Sequence, residues 1–139
     1  MNPPKMPESY PFWTMDKIRY GDTDKLGHVN NAVFATFLET GRVDMLCHPT
    51  MSLNDPGTAY VLARLACDFH GEVVWPGEVK IGTRIASIGR SSLQLQQLVL
   101  QNDVAVASGE TVLVQMDETT RKSRSFSPEL REMLEKMVK

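Results

Sequence analysis

The chain reads as an α+β protein: an antiparallel sheet wrapped around one long central helix, with a short helix at the C-terminus. Three observations predict this. Apolar side chains recur at helical spacing over residues 31–47. The period drops to two from residue 60 and holds through four consecutive segments, and helical spacing returns over 127–139. One helix and one sheet, each with an apolar side to bury, pack most compactly when the sheet curls around the helix.

The first dozen residues, rich in proline and polar groups, predict an extended or flexible lead-in, and "TMDKIRY" predicts a short strand. The helix, from about Asn31 to Cys47, sets Phe34, Phe37, Leu38, Gly41 and Met45 along one stripe. "HPTMSLNDPG" is turn-forming throughout and predicts a loop. In "YVLARLACDFHGEVVW", strict alternation puts Val61, Ala63, Leu65, Cys67 and Phe69 on one face and Arg64, Asp68 and His70 on the other. "WPGE" ends that strand. "VKIGTRIASIG" and "SSLQLQQLVLQ" predict two more, joined at "GRSS", and "QND" turns into "VAVASGETVLVQMD". In the tail, Ser127 can cap a helix and Pro128 fits its first turn, with Leu130, Met133, Leu134 and Met137 as the apolar side. No repeat or composition break interrupts the 139 residues, so a single domain is expected. A single sheet layer has free edges, which predicts a homodimer or homotetramer.

Composition narrows the function classes. Hydrophobic residues make up 42% and charged residues 23%, as in a globular protein with a real core. A net charge of −2, with no long basic run, gives no pull toward nucleic acid. The apolar runs are too short to span a membrane, and the N-terminus lacks the apolar core of a secretory signal, so a cytoplasmic protein is expected. Cys47 and Cys67 form neither a disulfide framework nor a CxxC site, and are read as free thiols.

The segment "GDTDKLGHVNN" crowds two carboxylates, an imidazole and two amides into the approach to the helix. A calcium loop starting at Asp22 would need oxygen ligands at its fifth and twelfth places, where Leu26 and Val33 stand. Turn and cap chemistry accounts for Asn30 or Asn31, but less well for the second Asp, the Gly and the His. An active site accounts for more. Unpaired N–H groups at a helix start suit a carbonyl oxygen that becomes negative, and a carboxylate upstream can attack that carbonyl or activate water. That is equipment for acyl transfer without a metal or a serine triad, and no G-x-S-x-G elbow competes with it.

With "FLETGR" following, "YGDTDKLGHVNN" resembles the hotdog-fold acyl-CoA thioesterases of the 4-hydroxybenzoyl-CoA thioesterase type. The likeness runs from about Met15 to Met133, through "VLARLACDFHGEVVWPGEVKIGTRIASIGRSSLQL", "VASGETVLVQMD" and "SPELREML". It implies a hotdog fold, hydrolysis of an acyl-CoA to free acid and coenzyme A, and sites formed between two subunits. It places the catalytic carboxylate at Asp24 and the carbonyl-polarising backbone N–H at or near Asn31. His28 is a candidate to bind substrate or order water. Arg90, Ser91 and Ser92 stand where relatives hold the nucleotide end of coenzyme A, and Ser91 replaces a cation found in some of them. No cofactor or metal is implied.

Asp22 is expected to stabilise a turn, and Glu39, one turn before Arg42 and Val43, either to form a helix ion pair or to serve as an active-site acid. Val33, Phe34 and Phe37, with Met45 and Met51, are expected to line an apolar acyl pocket. With no obvious buried cation, an uncharged acyl group is favoured over a dicarboxylic one. Two alternatives stay open: a hotdog dehydratase or hydratase pairing His28 with Glu39, and a non-catalytic acyl-CoA-binding protein.

Overall fold

The computed structural model describes residues 9–138, so most of the extended lead-in expected over 1–12 lies outside the described residues. The elements are β1 (Phe12–Ile18), α1 (Val33–Leu46), β2 (Cys47–His48), β3 (Met51–Ser52), β4 (Thr58–Phe69), β5 (Gly77–Ile88), β6 (Ser92–Gln101), β7 (Val104–Asp117) and α2 (Pro128–Glu135). Five strands form one sheet in the order β1-β5-β6-β7-β4, every neighbour antiparallel. This is the hotdog arrangement: a curled sheet around one long helix.

The predicted helical stripe is the buried one. Phe34, Phe37, Leu38, Gly41 and Met45 are buried, and so are Arg42 and Leu46. Phe37 and Leu38 are fully covered and belong to a cluster with Ile81, Val99 and Ala107; burial of each such side chain contributes about 1.5–3 kcal/mol. A Cβ at Gly41 would come within 2.7 Å of Gln97 Nε2 and of Ile81 Cγ2, so only glycine lets the helix approach the sheet this closely. Gln97 Nε2 uses the approach to donate to Leu38 O at 2.9 Å and to Thr83 Oγ1 at 3.0 Å. Toward the C-terminal end of α1, α2 packs on the sheet, its Leu130 and Leu134 joining Met45, Leu46, Ile85 and Leu113. Ser127 caps α2 through its hydroxyl, which accepts from Leu130 N at 3.2 Å. Met133, expected on the apolar side of α2, is 41% exposed.

Three sequence expectations change. The loop after α1 contains a minimal hairpin, β2 pairing Cys47 with Ser52 and His48 with Met51 of β3. The following strand stops at Phe69 and does not run on to Trp75. Within it a bulge between Leu62 and Arg64 resets the alternation. Leu62 pairs with Leu113, which lies in the core, while Val61 pairs with Val114 one step out of phase. Val61 therefore leaves the inner face shared by Leu65, Cys67 and Phe69. Pure period-two reasoning has no way to place a bulge.

The outer strands of the sheet are β1 and β4. Beside its unpaired edge β4 exposes Val61, Leu62, Leu65 and Phe69, an apolar array that favours pairing with another strand. Among the described residues no helix is long and apolar enough to cross a membrane.

Candidate active site

Between β1 and α1 the chain turns twice. A single 3-10 turn, Tyr20–Asp22, comes first, closed by Asp22. The Asp22 carboxylate is buried, accepts from Arg19 N at 2.8 Å, and faces Arg19 Nε at 3.6 Å. It serves the turn. Next, residues 24–28 form a tight hairpin whose stem pairs Thr23 with Val29 and whose tip needs Gly27 at φ 81°. Asp24 N donates to His28 O at 2.8 Å. The Asp24 side chain organises the tip through one oxygen alone: Oδ1 accepts from Leu26 N at 2.8 Å and His28 N at 3.2 Å. Asp24 is exposed, and its Oδ2 has no partner among the described residues.

The helix begins at Val33, two residues later than the sequence predicts, because Asn30 folds its side chain over the entry. Its Oδ1 accepts from Ala32 N at 3.0 Å, while Asn30 N donates to Asp22 O at 2.8 Å. Asn31 lies one position further, exposed; its carbonyl accepts the Phe34 N–H at 3.2 Å, and its own N–H meets no acceptor among the described residues. The chain thus offers a half-satisfied carboxylate and an unpaired N–H on the same loop, at the positive end of a helix of 14 residues.

A second loop backs the first. Val29 N donates to Val73 O at 2.8 Å, and Gln101 holds Val74 from both sides, accepting its N–H at 3.1 Å and donating to its carbonyl at 2.8 Å. Tyr20 meets Trp75 edge-on with ring centroids 5.2 Å apart. This loop supplies a residue that sequence reasoning missed: Glu72, whose Oε2 stands 3.1 Å from His28 Nε2. Only the pairing of two loops far apart in sequence reveals it. His28 and Glu39 are not brought together, since Glu39 lines a separate cleft beside Arg42.

The remaining candidates are scattered. Phe34 is 3% exposed and packs edge-on against Phe37 and Phe69, inside the core. Met51 is exposed and Met45 buried. Arg90 and Ser91 lie in the β5–β6 turn and Ser92 opens β6; the turn is tied down by Gln115 N donating to Ser91 O at 2.7 Å and by Phe126 N donating to Arg90 O at 3.0 Å. The Asp24 loop follows Ile18, which pairs with Gly77 at the start of β5, whereas Arg90 follows the end of β5. The strand's length, about 36 Å at ~3.3 Å per residue, separates them within one chain.

Burial raises the Cys47 thiol above its ordinary pKa, and burial with the Asp68 charge does the same for Cys67, so both stay protonated. Among the described residues no group of three or more His, Cys, Asp or Glu side chains is arranged to hold a metal. The expectation of no buried cation is overturned by Arg42. It is 7% exposed, and its Nη1 is enclosed without an acceptor among the described residues. Burial lowers its pKa from the ordinary value, and the Glu39 charge partly opposes that. The helical stripe alone gave no reason to place an arginine on the inner side.

A curled sheet around one helix, with a carboxylate loop leading into that helix, defines a protein of the hotdog thioesterase class. Comparison with known proteins makes this specific. The model of the thioesterase-like superfamily matches residues 18–134, and the chain belongs to that family. It is 29% identical to the long-chain acyl-CoA thioesterase FadM of Escherichia coli, over 91% of this chain and 98% of that one. The uncharacterized protein YsmA of Bacillus subtilis is 28% identical over 91% of this chain and 86% of its own. A thioesterase from Thermus thermophilus, solved with coenzyme A and zinc, superposes with a TM-score of 0.81 at 31% identity, covering 94% of this chain and 96% of that structure.

Proposed function

We propose that the protein is an acyl-CoA thioesterase that works as a homodimer: water cleaves the thioester, giving a free carboxylic acid and the coenzyme A thiol. Asp24 supplies the carboxylate, and the N–H of Asn31, just before α1, donates a hydrogen bond to the thioester oxygen as it gains negative charge. One observation carries this reading: Asp24 is exposed, pinned through Oδ1 by two backbone N–H groups, with Oδ2 free. Pinning fixes the carboxylate's direction without consuming it. His28, set against Glu72, lies on the same loop and is assigned to ordering water or substrate. The relatives support the substrate class, one being named for long-chain acyl-CoA hydrolysis and another having been solved with coenzyme A.

A dimer reconciles the distance between the Asp24 loop and the Arg90 turn. If two copies join antiparallel along their β4 edges, the two-fold axis inverts the second sheet, and its Arg90 turn comes to the end that carries the first copy's Asp24. Arg90, Ser91 and Ser92 then hold the phosphates of a coenzyme A whose thioester lies in the other subunit's loop. The test is release of free thiol from a panel of acyl-CoAs, followed with a thiol reagent. Turnover by the wild type and its loss in Asp24→Asn are expected. A wild type that binds acyl-CoA without releasing thiol would make it a binding protein, and hydration of an enoyl thioester without thiol release would make it a hydratase.

A further inference from the structure

The His28 imidazole has one nitrogen engaged and one idle. Nε2 stands 3.1 Å from Glu72 Oε2, and Nδ1 has no partner among the described residues. The Glu72 side chain is 69% exposed, and an ion pair at such a site adds little stability. It can still add direction, because the two backbones that carry it are fixed. His28 bridges to Val74, Val29 N donates to Val73 O at 2.8 Å, and Gln101 holds Val74 through both its N–H and its carbonyl.

A carboxylate only accepts, so Glu72 selects the neutral ring with its hydrogen on Nε2 and leaves Nδ1 as a bare acceptor. The Asp24 carboxylate sits at the root of the same side chain, its Oδ1 accepting from His28 N at 3.2 Å and its Oδ2 without a partner among the described residues. The two idle acceptors therefore start from one spot on the hairpin, and a water molecule has one hydrogen for each.

We propose, resting on the thioesterase reading, that Glu72 is a positioning residue: it fixes the His28 tautomer, so that His28 Nδ1 and Asp24 Oδ2 together grip the hydrolytic water by its two hydrogens. As the water oxygen bonds to the thioester carbon, Asp24 Oδ2 takes one proton and Nδ1 holds the other hydrogen in line. The C–S bond then breaks with its electron pair on sulfur. Asp24 returns its proton to that sulfur, giving the free thiol, and the second hydrogen leaves with the acid.

The tautomer is read from the imidazole nitrogen-15 resonances of the full-length protein at about pH 8.5, where an ordinary imidazole is neutral. The spectrum of His28→Gln separates His28 from His48 and His70. Glu72 is exposed, so its variants should fold. Wild type should carry the hydrogen on Nε2. Glu72→Gln, whose amide oxygen still accepts, should keep it there and lose less than about threefold in kcat. Glu72→Lys, whose ammonium only donates, should move the hydrogen to Nδ1 and lose about tenfold or more in kcat, with KM for a short pantetheine thioester within about twofold. A wild type with its hydrogen on Nδ1 overturns the proposal, as does a Glu72→Lys protein that keeps the wild-type tautomer or changes it without loss of kcat. A wild type that releases no thiol is a different failure: it overturns the thioesterase reading, and the water grip with it, whatever the spectra show.

Discussion

Two aspartate turns in this molecule look alike in sequence and differ in what their carboxylates are left to do. Asp55, in "SLNDPGT", is 7% exposed, and its Oδ2 accepts from Gln115 Nε2 at 3.0 Å and from Ser127 N at 2.9 Å. Its own N–H donates to Gln115 Oε1 at 2.9 Å. Burial pushes the Asp55 carboxyl up, but the hydrogen bonds from Ser127 and Gln115, with the Arg124 charge, outweigh it and hold the group below the ordinary carboxylate range. Asp24 also accepts two N–H groups through one oxygen, but it is exposed and both donors belong to its own loop. A buried carboxylate whose Oδ2 takes both a side-chain amide and a backbone N–H ties the start of β4 to β7 and to the cap of α2; an exposed one bonded only within its own loop keeps its free oxygen toward solvent.

The sharpest way to break this contrast is to neutralise each aspartate in turn. Asp24→Asn keeps an Oδ1 to pin the loop, so its melting temperature should stay close to the wild type's. Its thiol release should nonetheless fall by roughly a hundredfold or more, the scale of losing a general base or covalent catalyst. Asp55→Ala should do the reverse. Two buried donors lose their acceptor, costing about 3 kcal/mol of stability in urea unfolding, while the thermally intact fraction keeps its specific activity. An Asp24→Asn enzyme with wild-type turnover, or an inactive but fully stable Asp55→Ala, would erase the distinction.

Acid sharpens it further. Because the folded pKa of Asp55 is depressed, its contribution to stability is complete above the unfolded value near pH 4. It is lost as pH falls through the lower folded value. Urea midpoints measured between about pH 5 and pH 2 should therefore fall less steeply in Asp55→Asn than in the wild type. An unchanged slope would show that other groups dominate the acid limb.

The sequence disclosed the fold well, because hydrophobic period and turn chemistry are local. The stripe of Phe34, Phe37, Leu38, Gly41 and Met45 and the strands either side of "QND" needed no distant information; Asn102 and Asp103 make that turn at φ 52° and 63°. The local misses are small, a two-pair hairpin at Cys47–Ser52 and a helix start two residues late, and the larger ones are long-range. The bulge at Leu62/Arg64 depends on the fit of β4 to β7, the His28–Glu72 contact on two loops meeting, and the burial of Arg42 on where the sheet curls. The candidate site was legible as a motif around Asp24. That the Arg90 turn stands a strand's length away was not, because a sequence lists both without their ends.

That separation makes a smaller prediction. Arg90→Ala should raise KM for an acyl-CoA about tenfold with kcat nearly unchanged, since a remote phosphate contact is equally strong in the ground and transition states. A pantetheine thioester, lacking the nucleotide phosphates, should not register the change. Equal losses on the two substrates would move Arg90 from binding to folding or assembly, where its carbonyl already holds Phe126 N and the chain leading into α2.

The last test asks whether the two ends meet across subunits, and its expected signal is the smallest. Asp24→Asn and Arg90→Ala proteins are mixed in equal amounts, allowed to exchange subunits, and assayed well below KM. If each site takes Asp24 from one copy and Arg90 from the other, a mixed dimer has one site with both defects and one with neither. Half of the dimers are mixed, so wild-type sites make up about a quarter of the total, and activity should recover to about a quarter of the wild-type rate. If both residues served the same chain's site, every site would carry one defect. The mixture would then give only the average of the two parents, about 5% of wild type for a tenfold Arg90→Ala defect. A recovery of about fivefold over that average places the site across the subunit interface; recovery no better than the average, in a mixture shown by mass spectrometry to have exchanged, confines it to one chain and removes the Arg90 turn from it.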